Sequence, residues 1–285
     1  MRSVIKDVLS AIRVHQWTKN LLLLGAPIGA AVHPSAHNLN ILLRGFLVFS
    51  LISSAGYVLN DWLDKEKDRT HSNKKFRPFA AQKLNGIHAI TIIAMLIMVG
   101  LVLSAGLPRF FLIWIGLYTI STMSYSLVFK KIPVIEILIV AFGFLIRCLA
   151  GAALYDVYVS QWFLIVAGFG SLFLISAKRL SERKNYSSNE TRAVITQYSE
   201  QFLTTVISVS ITITLMAYAL WAFEVVGDSA WGKLSILPVL LGVLRYLWHS
   251  ESNDAESPEK AILSDPVIPI SGVMTAALLV MAIYV

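Results

Sequence analysis

The sequence predicts an all-α integral membrane protein, with about nine transmembrane helices in one bundle. Three observations lead there. Apolar residues make up 56% of the 285 residues and charged residues only 14%, with a mean hydropathy of +0.68, whereas soluble domains carry roughly 25% charged residues. Several apolar runs approach the ~20 residues a helix needs to cross a bilayer core. The bases gather in alternate connections, which is how cytoplasmic loops are marked.

The runs lie near residues 20–36, 40–60, 87–106, 109–129, 133–154, 160–178, 201–223, 232–249 and 267–285, and Pro27 interrupts the first. The tail holds Arg2, Lys6, Arg13 and Lys19, and residues 61–86 hold Lys65, Lys67, Arg69, Lys74, Lys75, Arg77 and Lys83. Lys130 and Lys131 follow one turn, and Lys178, Arg179, Arg183, Lys184 and Arg192 another. If the spans alternate, these 18 of the 24 Lys and Arg share one side, and the opposite loops carry only Arg109 and Lys233. The first group is therefore expected in the cytoplasm of a multi-pass cell-membrane protein, with the N-terminus inside and the C-terminus outside. The opening stretch spreads its charges and has no early apolar core ending in a cleavage site, so no signal peptide is read.

Residues 1–285 read as a single transmembrane domain with polar connections near 61–86, 179–200 and 250–266. Cys148 is the single cysteine, which excludes an intramolecular disulfide and fits a small buried side chain. The net charge of +7 does not point to nucleic acid, because no basic, aromatic-interleaved soluble segment is present.

One segment is out of character: "YVLNDWLDKEKDRTHSNKKFRPF" crowds acids and bases at the end of an apolar run. Asp61, Asp64 and Asp68 are spaced i, i+3, i+7 and share one face of a helix, while Glu66 points away. Carboxylates so placed repel one another unless a cation sits among them. Hard oxygen donors suit Mg²⁺, which binds through one or two carboxylates together with phosphate oxygens; Mn²⁺ is the natural substitute. Lys74, Lys75 and Arg77 follow as phosphate-gripping groups, and Asn60 precedes the first acid. The expected site is a cytoplasm-facing cavity that holds a metal-bound pyrophosphate. A solvated helix end with mixed charge is the plain competitor.

Further polar clusters recur on the same expected side. "RVHQWTKN" carries Lys19, "YSLVFKKIPVIEI" carries Tyr125, Lys130 and Glu136, and "SLFLISAKRLSERK" carries Lys178 and Arg179. Singly, such bases usually snorkel to headgroups; four clusters on one face are harder to explain that way. Arg147 lies inside a span, where an unpaired charge costs at least about 2.5 kcal/mol, so it is expected to face a cavity or a partner near Glu136. His33 and His37 do not make a zinc site, because Pro34 breaks the turn between them and no third ligand is near. "ESNDAESPEK" reads as a solvated connection.

"NDWLDKEKD" resembles the N-D-x-x-D-x-x-x-D signature of the intramembrane UbiA-type prenyltransferase superfamily, which implies nine helices and Mg²⁺ dependence. "HQWTKN", "DRTHSNKKFRPFAA", "YSLVFK", "GFLIRCLAGA", "SLFLISAKR", "YALWAFE" and "SPEKAILSDP" are similar, in order, to blocks of its phosphoribosyltransferase branch and cover most of the chain. That branch implies transfer of 5-phosphoribose from phosphoribosyl pyrophosphate to a polyprenyl (decaprenyl) phosphate, a step toward cell-wall arabinose donors. Ordinary members carry a second acidic motif after span six, where this chain reads "KRLSERK". Basic residues there suit a lipid phosphate or the 5-phosphate of the donor. Glu136 stands where the family pattern has Asp.

Taken together, the residues and the resemblance lead us to expect Asp61, Asp64 and Asp68 at the metal, and Lys19, Asn60, Lys74, Lys75, Arg77, Tyr125, Lys130, Glu136, Lys178 and Arg179 at substrate, with Arg147 either at substrate or in a structural ion pair. The partners implied are the two substrates and the bilayer, and a homo-oligomer is left open. Two other readings compete: conventional transfer of a prenyl chain to an aromatic acceptor, which predicts acids near 178–184, and a non-catalytic lipid carrier, which predicts paired polar residues at the midplane.

Overall fold

The computed structural model describes residues 2–30, 32, 35–185, 194–224, 229–251 and 264–284, and among these every regular element is helical. His33, Pro34, Arg192 and residues 252–263 of the acidic connection lie outside the described residues. Seven helices are long and apolar enough to cross a membrane: Ala36–Leu63, Gly86–Ser104, Arg109–Leu127, Ile135–Ala153, Gln161–Lys184, Glu200–Glu224 and Ala230–Ser250, with a shorter apolar helix at Val267–Ala282. The chain is a multi-pass all-α membrane protein. It packs as two compact units, residues 1–130 with 146–158, and residues 131–145 with 159–285.

The first unit begins with helix α1 (Arg2–Ile12), whose Val8 and Ile12 pack on Ala11, Val58, Phe79 and Leu84. The expected first α-helical span takes another form. Val14–Leu24 is a 3-10 helix, followed by the short α2 (Gly25–Gly29), which contains Pro27. Runs of 3-10 helix longer than 3–4 residues are uncommon, and this one is stitched to its neighbour α3 (Ala36–Leu63). Trp17 Nε1 donates to Ser54 Oγ at 2.9 Å, and Asn20 Nδ2 donates to Ser50 Oγ at 2.9 Å. Three residues of 3-10 helix rise ~6 Å, as do four residues of α-helix. The i, i+3 pair on one strand of the contact therefore meets the i, i+4 pair on the other without drift.

Leu23, one 3-10 turn further, is fully buried. Its carbonyl passes so close to α7 (Ile135–Ala153) that a Cβ built on Gly151 would lie 2.0 Å from the oxygen. Only glycine fits there. Ser35 caps α3 by accepting from Asn38 N at 3.1 Å, and α3 ends at Leu63, where Asp64 leads into α4 (Lys65–Arg69). Helix α5 (Gly86–Ser104) opens with a capping box between Asn85 and His88. Gly106, at φ +76°, turns the chain into α6 (Arg109–Leu127). Between helices in lipid, close packing and hydrogen bonds take over from water exclusion. Ser50 and Ser54, buried on one face of α3, are suited to both.

The second unit contains α8 (Gln161–Asn185), α9 (Glu200–Glu224), α10 (Ala230–Leu234), α11 (Ile236–Glu251) and α12 (Val267–Tyr284). Its core includes Ile137, Phe173, Leu203, Ile207 and Tyr246, with Phe173 and Tyr246 edge to face at 5.3 Å. Tyr218 and Ser235 share a hydrogen bond of 2.8 Å between α9 and the α10–α11 junction. Asp265 accepts from Val267 N at 2.9 Å, from His249 Nε2 at 3.0 Å and from Arg245, which fixes the start of α12.

Candidate active site

In the first unit the acidic segment folds back on itself. The i, i+3, i+7 spacing does not lie on one continuous helix: α3 ends, Asp64 takes φ −92°, ψ 3°, and α4 begins. The turn is kept, since Asp64 N bonds Asn60 O and Asp68 N bonds Asp64 O, both at 2.9 Å. The result separates the three acids. Asp61 Oδ1 and Asp68 Oδ2 meet at one nitrogen, Arg77 Nη1, at 3.1 and 2.7 Å. Asp64 turns instead to Lys130, whose Nζ is 2.5 Å from Oδ1. Among the described residues no group of three or more His, Cys, Asp or Glu is placed to hold a metal. Glu66 is exposed and pairs with Arg69, away from this cluster.

Asp61 and Asp68 are nearly fully buried, at 2% and 5% exposure. Burial pushes the Asp68 carboxyl above its ordinary 3.8, against the pull of Arg77, and the charge of Asp61 adds to the rise. The site carries its own counter-charges. Besides Arg77, Arg13 Nη2 donates to Asp61 Oδ1 at 2.6 Å, with its guanidinium 5.5 Å from the Tyr57 ring centre. Arg13 has φ +52°, ψ 54°, a conformation that costs a non-glycine residue roughly 1–2 kcal/mol. In the sequence Arg13 reads only as one base of the tail. The same "RVHQWTKN" block contains it, but nothing in the spacing links residue 13 to residue 61.

The donor set suits a hard divalent cation: two carboxylates already converge on one cationic nitrogen, and Asn60 Oδ1 is buried without a hydrogen-bond partner. The loop after α4 supplies bases. Lys74 is half-buried and its charge acts on Asp68, whereas Lys75 is exposed with Nζ 5.2 Å from the Phe76 ring centre. Pro78 O accepts from Lys83 N at 2.9 Å and from Leu84 N at 3.2 Å, which closes the loop on the buried Phe79 and Ala80. Lys19 lies half-buried on the 3-10 helix, and Tyr125 half-buried on the last turns of α6.

Arg147 is 4% exposed. Its expected partner near Glu136 is replaced by Asn20 Oδ1, at 2.8 Å from Nε, and Tyr118 OH, at 3.0 Å from Nη2. The guanidinium also lies 4.7 Å from the Tyr118 ring centre and 5.3 Å from that of Phe49. These are oxygen and ring partners carried by the 3-10 helix, α3 and α6, which is how an arginine is accommodated in a low-dielectric bundle.

In the second unit Glu136, fully buried, binds Arg179 through both oxygens, at 2.8 Å to Nε and 2.8 Å to Nη2. Arg179 Nη1 reaches Glu182 at 2.8 Å. Tyr198 OH donates to Glu136 Oε1 at 3.4 Å and accepts from Val134 N at 2.8 Å, where Val134 has φ +67°. Burial pushes the Tyr198 phenol up to about 12, and the charge of Glu136 adds to the rise. The longer arm of Glu136 is what reaches the fork of Arg179. Lys178 is half-buried beside it in sequence.

A bundle of membrane helices with a buried acid–base cluster at the end of a span defines an intramembrane enzyme of the aspartate-motif type. Residues 21–265 match the model of the UbiA prenyltransferase family, and the chain belongs to that family. A decaprenyl-phosphate phosphoribosyltransferase of Corynebacterium glutamicum is 33% identical over 297 residues, covering 100% of this chain and 89% of that protein. Its namesake from Mycobacterium tuberculosis (strain H37Rv) is 34% identical over 281 residues, covering 94% and 91%. Among solved structures, a UbiA homolog from Archaeoglobus fulgidus bound to GPP and Mg²⁺ has a similar fold, with TM-score 0.74, 17% identity and coverage of 97% and 98%.

Proposed function

We propose that this protein transfers 5-phosphoribose from phosphoribosyl pyrophosphate to a polyprenyl phosphate, decaprenyl phosphate being the acceptor in the names of its relatives. The products are the polyprenyl-phosphoryl-5-phosphoribose and pyrophosphate. The observation that carries this reading is the chain's likeness, over nearly all of its length, to proteins so named, joined to a "SAKRLSERK" segment that is basic where aromatic prenyltransferases need acids. We further infer that the two packing units belong to one UbiA-like domain and that the acidic segment faces the cytoplasm, as the distribution of bases supports.

The chemistry follows from charge. A lipid phosphate oxygen forms the new bond to the anomeric carbon as the bond to pyrophosphate breaks, and both electrons leave with the pyrophosphate. The nucleophile is already anionic, so no strong general base is needed. Mg²⁺ held by Asp61 and Asp68, with Asp64 joining if Lys130 moves to substrate, would offset the charge of the departing pyrophosphate. The chain's own groups do the rest. Arg77, Lys74 and Lys75 bind phosphate oxygens, Asn60 orients a carboxylate or a phosphate oxygen, and Tyr125 and Lys19 position the donor.

Lys130 and Lys178 take the 5-phosphate and the lipid phosphate. Arg179, whose three nitrogens already serve carboxylates, aligns Glu136 and Lys178. Arg147 fixes the helix frame through Asn20 and Tyr118.

The test is transfer of labelled phosphoribosyl pyrophosphate into the decaprenyl phosphate fraction by purified protein with Mg²⁺, with Asp64→Ala as control. Label in the lipid that is lost in the variant supports the reading. Activity on a prenyl diphosphate and an aromatic acid instead would leave the family and discard the substrates. Silence in both assays would favour a lipid carrier.

A further inference from the structure

Arg13 stands at the acidic cluster in an unusual way. Its backbone is pinned on both sides: Arg13 N bonds Ser10 O at 3.3 Å, and Gln16 N bonds Arg13 O at 2.8 Å. Ser54 Oγ donates to Ile12 O at 2.7 Å and accepts from Trp17 Nε1 at 2.9 Å, so residues 12 and 17 are both tied to α3. The backbone between them holds the left-handed φ of +52°. What can move is the long side chain, 20% exposed, which reaches Asp61 Oδ1 at 2.6 Å.

Charge counting decides which cation yields. Arg13 and Arg77 together balance Asp61 and Asp68. A divalent cation added to those two carboxylates leaves the cluster with an excess of positive charge, and arginine cannot relieve it by losing a proton. One guanidinium must withdraw. Arg77 is held by two carboxylates, at 3.1 and 2.7 Å, whereas Arg13 holds Asp61 alone and otherwise rests against the Tyr57 ring at 5.5 Å. Arg13 is the one that leaves. The diphosphate of the donor arrives at the same place and is the nearest excess of negative charge.

We propose that Arg13 is a substrate-positioning residue: its guanidinium is the resident counter-ion of Asp61 and passes to the diphosphate of the donor when a divalent cation takes that carboxylate. This rests on the functional reading above as regards the donor, but not as regards the cation. Before donor binds, Arg13 competes with the cation for Asp61 and weakens its binding. After donor binds, Arg13 holds the leaving group. Removing the guanidinium therefore has opposite effects on the two ligands, which a merely structural arginine does not produce.

The experiment titrates Mn²⁺ by electron paramagnetic resonance into full-length protein in detergent, without donor, for wild type, Arg13→Gly and Arg13→Lys. Glycine accepts the left-handed backbone, so Arg13→Gly removes the side chain without adding strain. The expected result is Mn²⁺ binding tighter by on the order of tenfold in Arg13→Gly, the scale on which an adjacent opposite charge shifts a carboxylate equilibrium. Arg13→Lys, which keeps one positive charge, stays near wild type. In the transfer assay the KM for phosphoribosyl pyrophosphate rises about tenfold in Arg13→Gly. Mn²⁺ affinity that is unchanged or weaker in a folded Arg13→Gly overturns the proposal. Should that variant not fold, Arg13→Asn, which also tolerates this backbone, carries the same comparison. If wild type transfers no ribose phosphate at all, the functional reading fails while the Mn²⁺ titration still judges Arg13.

Discussion

Glu136 and Arg179 meet through two hydrogen bonds of 2.8 Å, 43 residues apart in sequence and almost wholly out of contact with solvent. Breaking such a pair from one side strands a buried charge, at a cost of about 3–5 kcal/mol. Arg179→Ala is therefore expected to lower the melting temperature in detergent sharply. Glu136→Asp, too short to span the fork, should lower it less. The double change Glu136→Leu with Arg179→Met should recover most of the loss, and a double variant as unstable as Arg179→Ala would contradict the pairing.

Asp68 predicts a trade between stability and activity. Its native carboxyl holds a proton more tightly than in the unfolded chain. Stability therefore falls as pH rises through the window from the ordinary carboxylate value up to the raised native one, and the loss persists above it. Asp68→Asn removes that loss. Thermal melts from pH 4 to 7 should show the variant gaining on wild type as pH rises, while transfer activity disappears.

Lys130 and Asp64 should behave as one unit. Lys130→Met and Asp64→Asn are each expected to lower kcat/KM for phosphoribosyl pyrophosphate by about 10²-fold. The double variant should be no worse than the poorer single one. Losses that multiply would mean that the 2.5 Å contact has no bearing on turnover.

Arg147→Lys keeps the charge and loses the fork that serves Asn20 and Tyr118. A lower melting temperature with an unchanged KM for both substrates is expected, and a changed KM at constant stability would move Arg147 into the substrate site. Gly151→Ala should be worse still, since the new methyl would meet a backbone carbonyl at 2.0 Å and overpacking of this kind costs about 1–3 kcal/mol or more.

Most of the fold is visible in the apolar runs. The spans expected near 87–106 and 109–129 are Gly86–Ser104 and Arg109–Leu127, because nothing but length and oiliness decides them. The first span is different. Its Trp17 and Asn20 bond serines 37 and 30 residues away, and no local pattern announces a 3-10 helix. The aspartates are legible as a cluster, but the break at Asp64 has no glycine or proline to mark it, so the parting of Asp64 from Asp61 and Asp68 is a tertiary result. The partnerships of Glu136 with Arg179, and of Arg13 with Asp61, are likewise set by helix packing.

The 3-10 helix also resolves a question of reach. Val14–Leu24 and Gly25–Gly29 have 11 and 5 residues. Wound entirely as α-helix, such a segment would extend ~24 Å, short of the ~30 Å hydrocarbon thickness. With its first part stretched to ~2.0 Å per residue it extends ~30 Å. Drawing out the coil thus brings the stretch to the length of the hydrocarbon core, which an α-helix of the same residue count does not reach, while Trp17 and Asn20 stay bonded to Ser54 and Ser50 of α3.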